Sequence, residues 1–380
     1  METILLIKKL FLSVNKKRKY QLVGMFFLII ISSIAEFCTL SLVMPFLIVI
    51  WSPDIINKNN ITLFLLNFFN LKDFTSIQLL LSFLFILCVI FASIIKTINL
   101  RTYIYLAQSI GSDLSTTAYS NVIAQEYSYH IETNSSNIIS AIRTFSDLTV
   151  DFIIYTLAIG TSFITSIGLI SGLFYVNAKY TFYTLFILGF TYSLLLLLTK
   201  RKLYLNSIKT ANLHNSQVKL LQESLSSIRD IIIGNSQKYF KANFNNIEIE
   251  RRKIASESQF LGSAPKFIIE GIGIILIVSL STFSIILNKE SNESKLILPY
   301  LGAIALGCQR LLPSLQLIYA SMTGLRHTKS SVNKFIKLVN LPVPLKKLDQ
   351  ANNFEFTKSI EFKNVSFSYL KNNSYILKNL

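Results

Sequence analysis

Charge is scarce in this chain. Charged residues make up only 15% of 380 positions against 51% hydrophobic ones, and the 20 Asp and Glu are outnumbered by 37 Lys and Arg. So little polar surface excludes a soluble domain of this length. Cysteine is nearly missing as well: Cys38, Cys88 and Cys308 all fall in apolar runs, without a CxxC or a Cys/His cluster. They read as small core hydrophobes. His130, His214 and His327 are far apart in sequence and lie in polar stretches, so no metal site is expected. A cleavable leader is not expected either, because Leu22 to Ile50 is too long for a signal-peptide core and has no small-residue cleavage site nearby.

What the chain does have is a series of long apolar runs. A hydrocarbon core of about 30 Å takes about 20 residues of helix. By that measure the sequence predicts an all-α membrane protein with six transmembrane helices: Leu22 to Ile50, Ile77 to about Leu106, about Leu148 to Val176, Tyr180 to Thr199, Phe267 to Leu287, and Leu296 to about Thr323. The net charge of +17 is not spread evenly. Basic residues bunch at Lys8, Lys9 and Lys16 to Lys19, at Lys200 to Lys202 and Arg251 to Lys253, and from Arg326 to Lys347, all at the edges of apolar segments. That is the positive-inside pattern, and it points to topology and anionic-lipid contact, not to nucleic acid. Both termini are expected in the cytoplasm.

Loop lengths add to this. The links after the third and fifth spans are only a few residues long, which ties those helices into hairpins. The links on the basic side, Ala107 to Asp147 and Lys200 to Lys266, far exceed the roughly 15 residues beyond which loops carry structure of their own. They read as long amphipathic helices running out of the membrane. Each has a polar break near its middle. In "YSYHIETNSSNIISAI" Thr133, Asn134 and Ser135 are good N-caps before an apolar-periodic run. In "QESLSSIRDIIIGNSQKYF" Gly234 and Asn235 form the interruption. These breaks define coupling regions near 128–138 and 222–240, with Tyr129, His130 and Ile131 in the first and Ile228, Arg229 and Asp230 in the second. Hairpins reaching that far below the membrane are expected to dock on something.

Inside the apolar runs, Glu36, Glu270 and Arg310 stand at or near membrane depth, with Lys266 at the edge of the fifth span. An ionisable group there costs several kcal/mol unless it is paired or wetted, so it faces a bundle interior or an aqueous cavity. Two readings stay open for Glu36 and Glu270: a cavity contact, or a buried Glu–Arg pair that fixes helix register. Arg310 is favoured as a contact for an anionic group. Pro45, Pro265 and Pro313 lie in or beside spans, where they can kink a helix and free carbonyls.

Beyond "LVNLPVPLKKLDQ" the character changes. Pro342 and Pro344 end the last helix, and residues 341–358 read as a linker after a membrane domain at 22–340 and an N-terminal segment at 1–21. In "IEFKNVSFSYLKNNSYILKNL" apolar and polar residues alternate and the phase slips at Asn364, as in a strand with a bend. "LKNNS" supplies a turn and Tyr375 to Leu380 a second strand, so 359–380 is expected to open a small β-strand subdomain.

Six spans, two long helical hairpins, a linker and then "IEFKNVSFSY…ILKNL" resemble an ATP-binding cassette exporter half-transporter of type I, at the point where its nucleotide-binding domain begins. In that family the aromatic residue matched by Tyr369 stacks on adenine. A closer likeness is carried by Glu36 with Ser41 to Phe46, by Glu270 to Gly273, and by Arg310, Leu311, Pro313 and Ser314. These resemble the lipid-linked oligosaccharide flippases of bacterial protein N-glycosylation. The resemblance implies a homodimer in the cytoplasmic membrane of a bacterium, moving a lipid-linked or other amphipathic substrate, with Arg310 and Lys266 at its anionic head group. It also implies ATP and magnesium as cofactors of the full-length relatives. The sequence departs from the family in having no glycine after Gly324, and therefore no GxxxxGK[ST] phosphate loop. It is expected to be a truncated half-transporter, incompetent for ATP hydrolysis alone. A peptide or multidrug exporter half, and a non-transporting membrane scaffold, are the alternatives.

Overall fold

The computed structural model describes residues 2–51, 74–176, 178–287, 294–343, 358–368 and 375–380. Its helices in chain order are α1 (Glu2–Ser13), α2 (Lys16–Trp51), α3 (Phe74–Ile123), α4 (Tyr127–Glu132), α5 (Ser135–Ser140), α6 (Ser146–Val176), α7 (Ala178–Ser226), α8 (Ile228–Ile233), α9 (Gln237–Leu287) and α10 (Ser294–Val339). A π-helical turn, Ala141–Phe145, joins α5 to α6. The protein is all-α, as its apolar runs predict. At 1.5 Å per residue the 50 residues of α3 span about 75 Å, far more than a hydrocarbon core of about 30 Å requires. The long helices therefore run on well past the membrane as polar extensions.

Four helices are long and apolar enough to cross a membrane among the described residues, in the stretches Lys16–Ile48, Gln78–Ile123, Ser135–Tyr175 and Thr181–Ser226. The predicted fifth and sixth spans fall on α9 and α10, each a continuous helix through its segment and past Pro265 and Pro313. Pro45 likewise lies within continuous α2. The outward face of α3 is apolar, with Leu79, Phe83, Ile86, Ile90, Phe91 and Ile94 all exposed. A row of that kind is compatible with hydrocarbon and not with water.

Helix α6 is the centre of the packing, against α10 most of all and against α2 and α3. Lipid tails are as apolar as leucine, so helices in a membrane associate by close contact through small residues. Gly168 on α6 lies so near Ser33 on α2 that a Cβ would strike its hydroxyl and its backbone carbonyl, and Ser33 donates a hydrogen bond to the Ile164 carbonyl at 2.9 Å. Gly324 on α10 gives the Tyr155 ring of α6 its place in the same way. Toward the chain-terminal side of this contact, Leu40, Val43 and Met44 of α2 interlock with Leu169 and Leu173 of α6 and Leu311 of α10.

The two polar breaks fall where the sequence puts them. Asn134 is the N-cap of α5, its side chain accepting from the Ser136 amide at 2.9 Å. The second break is a Schellman closure: the Ser236 amide donates to the Ile231 carbonyl at 3.0 Å and the Asn235 amide to Ile232 at 3.3 Å. The left-handed residue is Asn235, at φ 47°, and not Gly234. The π turn after α5 has no counterpart in the sequence reading.

At the C-terminus the expected hairpin is reduced. Val365 and Leu380 exchange amide-carbonyl bonds of 2.9 and 3.1 Å, and Phe367 pairs with Leu377 in one antiparallel bridge. Asn364 takes φ 55°, at the position of the phase slip. Among the described residues this is an isolated bridge, not a strand. Nothing among the described residues covers its apolar side chains, Ile360, Phe362 and Ile376 all being exposed, and a two-stranded pairing without such cover is marginal.

Candidate functional site

The charged residues expected at membrane depth do not all meet. Glu36 of α2 is almost fully buried, its side chain 7% exposed, and lies 3.2 Å from Nη1 of Arg310 on α10. Nη1 also donates to the Thr39 hydroxyl, which in turn donates to the Glu36 carbonyl at 2.8 Å. Thr39, one turn on from Glu36, thus ties the guanidinium to α2. Arg310 is consequently not a lone cation. Its Nε and Nη2 donate to nothing among the described residues, and its side chain is 28% exposed. Part of the fork stays open.

A third charge completes the group. Lys96 of α3 reaches the other Glu36 oxygen, Oε1, at 3.1 Å, while its side chain remains 54% exposed. The sequence reading missed it, although the signal was there: a single lysine between Ile95 and Thr97 in an apolar run, the same kind of evidence that singled out Glu36. One carboxylate shared by two cations leaves the site with one formal positive charge in surplus. In an apolar surround that surplus favours a bound anion.

Lys266 and Glu270 are elsewhere. They stand one turn apart on α9, both exposed, and neither joins the Glu36 group. The buried face of α9 is instead carried by Ile269, which packs with Leu188 and Tyr192 of α7 and Tyr319 of α10. Tyr369 lies outside the described residues.

The expected coupling residues occupy the tips of the two hairpins. Tyr129, His130 and Ile131 belong to α4, a six-residue helix with no buried residue, and Ile131 is exposed. Ile228, Arg229 and Asp230 open α8, also six residues long, whose Ile231 is buried while Ile228, Ile232 and Ile233 are exposed. Two short helices with apolar side chains facing outward cap the extensions. Such faces are suited to contact with another protein surface.

The extensions are pinned by ion pairs. Arg18 grips Asp113 with two nitrogens, at 2.9 and 3.3 Å, joining the basic start of α2 to the extension of α3, and this holds the Asp113 carboxyl below its usual range. Glu248 of α9 accepts from Arg251, Arg252 and Gln217, and these bonds pull its pKa down to about 2. His214 of α7 is enclosed beside the Phe145 ring at 6.5 Å. Burial, with Arg251 nearby, lowers its pKa to about 4. Among the described residues no three His, Cys, Asp or Glu side chains come together as a metal site.

Long helices that cross a membrane, polar extensions ending in exposed short helices, and a charged group held inside the bundle define a membrane transport domain. The chain matches the ABC transporter transmembrane region over residues 25–301, and it belongs to that family. The match takes in Glu36, Lys96 and both hairpins, and ends just short of Arg310. No curated protein matches the chain. Domains of this family work with nucleotide-binding domains and dimerise.

Proposed function

We propose that this chain is the membrane half of a homodimeric, ATP-driven exporter that moves an amphipathic substrate with an anionic head group, a lipid-linked oligosaccharide being the best fit. The observation that carries the reading is the Glu36 carboxylate shared by Lys96 and Arg310. A surplus cation in an apolar bundle is useful for a phosphate or pyrophosphate and a handicap for a neutral drug. An incoming anion can take the open nitrogens of Arg310 and draw Lys96 from Glu36. Lys266 and Glu270, exposed on α9, become cavity residues when a second copy closes the opposite wall. The α4 and α8 tips, with Tyr129, His130 and Ile131 and with Ile228, Arg229 and Asp230, receive the movement of a nucleotide-binding domain whose adenine platform includes Tyr369. The membrane is the bacterial cytoplasmic membrane, with both termini on its cytoplasmic side.

The test is ATP-dependent flipping of a fluorescent polyprenyl-pyrophosphate lipid in vesicles, with nucleotide-binding domains supplied. Flipping should be lost in Arg310→Ala and reduced in Lys96→Gln. No flipping, or flipping indifferent to both changes, sinks the reading. One observation favours a second reading, a peptide or drug exporter: Arg310 already has a carboxylate and a hydroxyl partner, as a register pair requires. ATPase activity stimulated by peptides and unaffected by the pyrophosphate lipid selects that reading.

A further inference from the structure

The N-terminal helix and the start of the first span enclose a feature that the transport cavity does not use. Leu6 and Leu10 of α1 and Val14 just after it are buried against the bundle, while Lys8 and Lys9 are exposed. Between α1 and the helices behind it runs a shallow crevice, open on one side, with a volume of about 80 Å³. Leu10 and Phe11 of α1, Ile110 of α3, and Phe152, Thr156 and Leu157 of α6 line it. Thr156 is the one polar residue in that wall, and its hydroxyl is spent on the Phe152 carbonyl at 2.8 Å. The crevice therefore offers hydrocarbon contact and nothing else.

Its mouth is cationic. The ammonium of Lys19 sits 5.2 Å from the centre of the Phe11 ring, which forms one lip of the crevice, and Lys16 and Lys17 are exposed beside it on the first turn of α2. The carboxylate facing this turn, Asp113, is already gripped by Arg18 at 2.9 Å and approached by Asn15 at 3.4 Å, and of the three lysines only Lys17 feels its charge, so the turn keeps a cationic surplus among the described residues. This lies where the apolar run of the first span begins, at the level of lipid head groups. We infer that the crevice and its lysines form a binding site for an anionic glycerophospholipid of the bilayer, one acyl chain lying between α1 and α6 and the phosphate held at Lys16, Lys17 and Lys19. Charge complementarity and the carbon lining select this occupant over a zwitterionic lipid and over a protein segment. The site is separate from Glu36, Lys96 and Arg310, and does not depend on what the transporter carries.

The test uses the whole chain in detergent micelles, offered equal amounts of phosphatidylglycerol and phosphatidylcholine with the same acyl chains and read by native mass spectrometry. The wild type should retain phosphatidylglycerol about fivefold over phosphatidylcholine. Replacing the cations together, Lys16→Gln, Lys17→Gln and Lys19→Gln, should bring that ratio to within about twofold of unity. Thr156→Phe, which fills the crevice, should cut retention of both lipids about fivefold. In the wild type a phosphatidylglycerol with a diazirine in its acyl chain should label peptides of α1 and α6. An unchanged ratio in the lysine variant, wild-type retention by Thr156→Phe, or labelling that spares α1 and α6 overturns the site. If Thr156→Phe does not fold, the exposed lysines and the wild-type labelling decide alone.

Discussion

Replacing Glu36 by Gln leaves two cations facing each other across a neutral amide. Each contact, Lys96 at 3.1 Å and Arg310 at 3.2 Å, corresponds to roughly 5 kcal/mol of attraction at an effective dielectric near 20. Desolvation cancels much of that, and removing one partner of a buried pair costs about 3–5 kcal/mol. Lys96 is half exposed and can withdraw toward the surface, so about 2–3 kcal/mol is the expected loss. The double variant Glu36→Gln, Arg310→Gln leaves only Lys96, and should be more stable than the sum of the single losses by at least about 1 kcal/mol. Equilibrium unfolding in mixed micelles, titrated with a denaturing detergent, measures all three variants. Additivity within about 0.5 kcal/mol would falsify the shared-carboxylate arrangement.

Gly168→Ala puts a methyl group against the backbone of Ser33, which cannot step aside, and should cost about 1–3 kcal/mol in the same assay. Gly189→Ala has nothing within 4 Å and should be neutral or stabilising by up to about 1 kcal/mol. Asn235→Gly should preserve or slightly raise stability, because φ 47° favours glycine, whereas Asn235→Ala should lower it by about 1 kcal/mol, read from hydrogen exchange in α8 and the first turn of α9. The pKa of His214 falls from 6.5 to about 4 on folding, so the unfolded chain takes its proton first as pH drops. Its contribution is complete above pH 6.5, declines between 6.5 and about 4, and is constant below that; His214→Phe should flatten the stability profile across this window. Glu248, held near 2, contributes above 4.5 and loses that contribution as pH falls toward about 2, so Glu248→Gln should flatten only the more acidic limb.

Local signals carried the helical plan, and contacts between distant helices stayed hidden. An apolar run long enough to cross a bilayer, a side-chain cap at Asn134 and an interruption at Gly234 and Asn235 are all properties of consecutive residues, and each is found in place. A buried Glu–Arg pair is one of the two readings open to the sequence, but that Glu36 and not Glu270 meets Arg310 depends on α2 and α10 meeting, 274 positions apart. No periodicity reports such a contact. The same holds for Lys266 and Glu270, whose spacing fits one helical face but whose orientation is set by Ile269 packing on Tyr319. The C-terminal alternation shows the opposite case. Its pattern is that of a strand, but pattern alone cannot supply the surface on which a strand packs, and one bridge forms.

The proposed function requires the charged group to rearrange while the core holds, and helix α6 supplies the fixed reference for that. Gly168 and Leu169 fix α6 to α2, and Tyr155 fixes it to α10 beside Gly324, so α2 and α10 are both referred to one rigid neighbour. Glu36 and Arg310 extend from those two helices and meet through side chains only. Breaking their contact requires rotamer changes and a small relative shift of α2 and α10, not separation of either from α6. Lys96 lies on a helix whose outer face is exposed, its side chain is half exposed, and Glu36 is its one ion-pair partner among the described residues, so it is the member most easily released. Under the proposed function, an anion entering the site acts first on Lys96 and then on the open nitrogens of Arg310. On that order of events, Lys96→Gln should weaken substrate affinity while Arg310→Ala removes transport, a split that KM and kcat for flipping can separate.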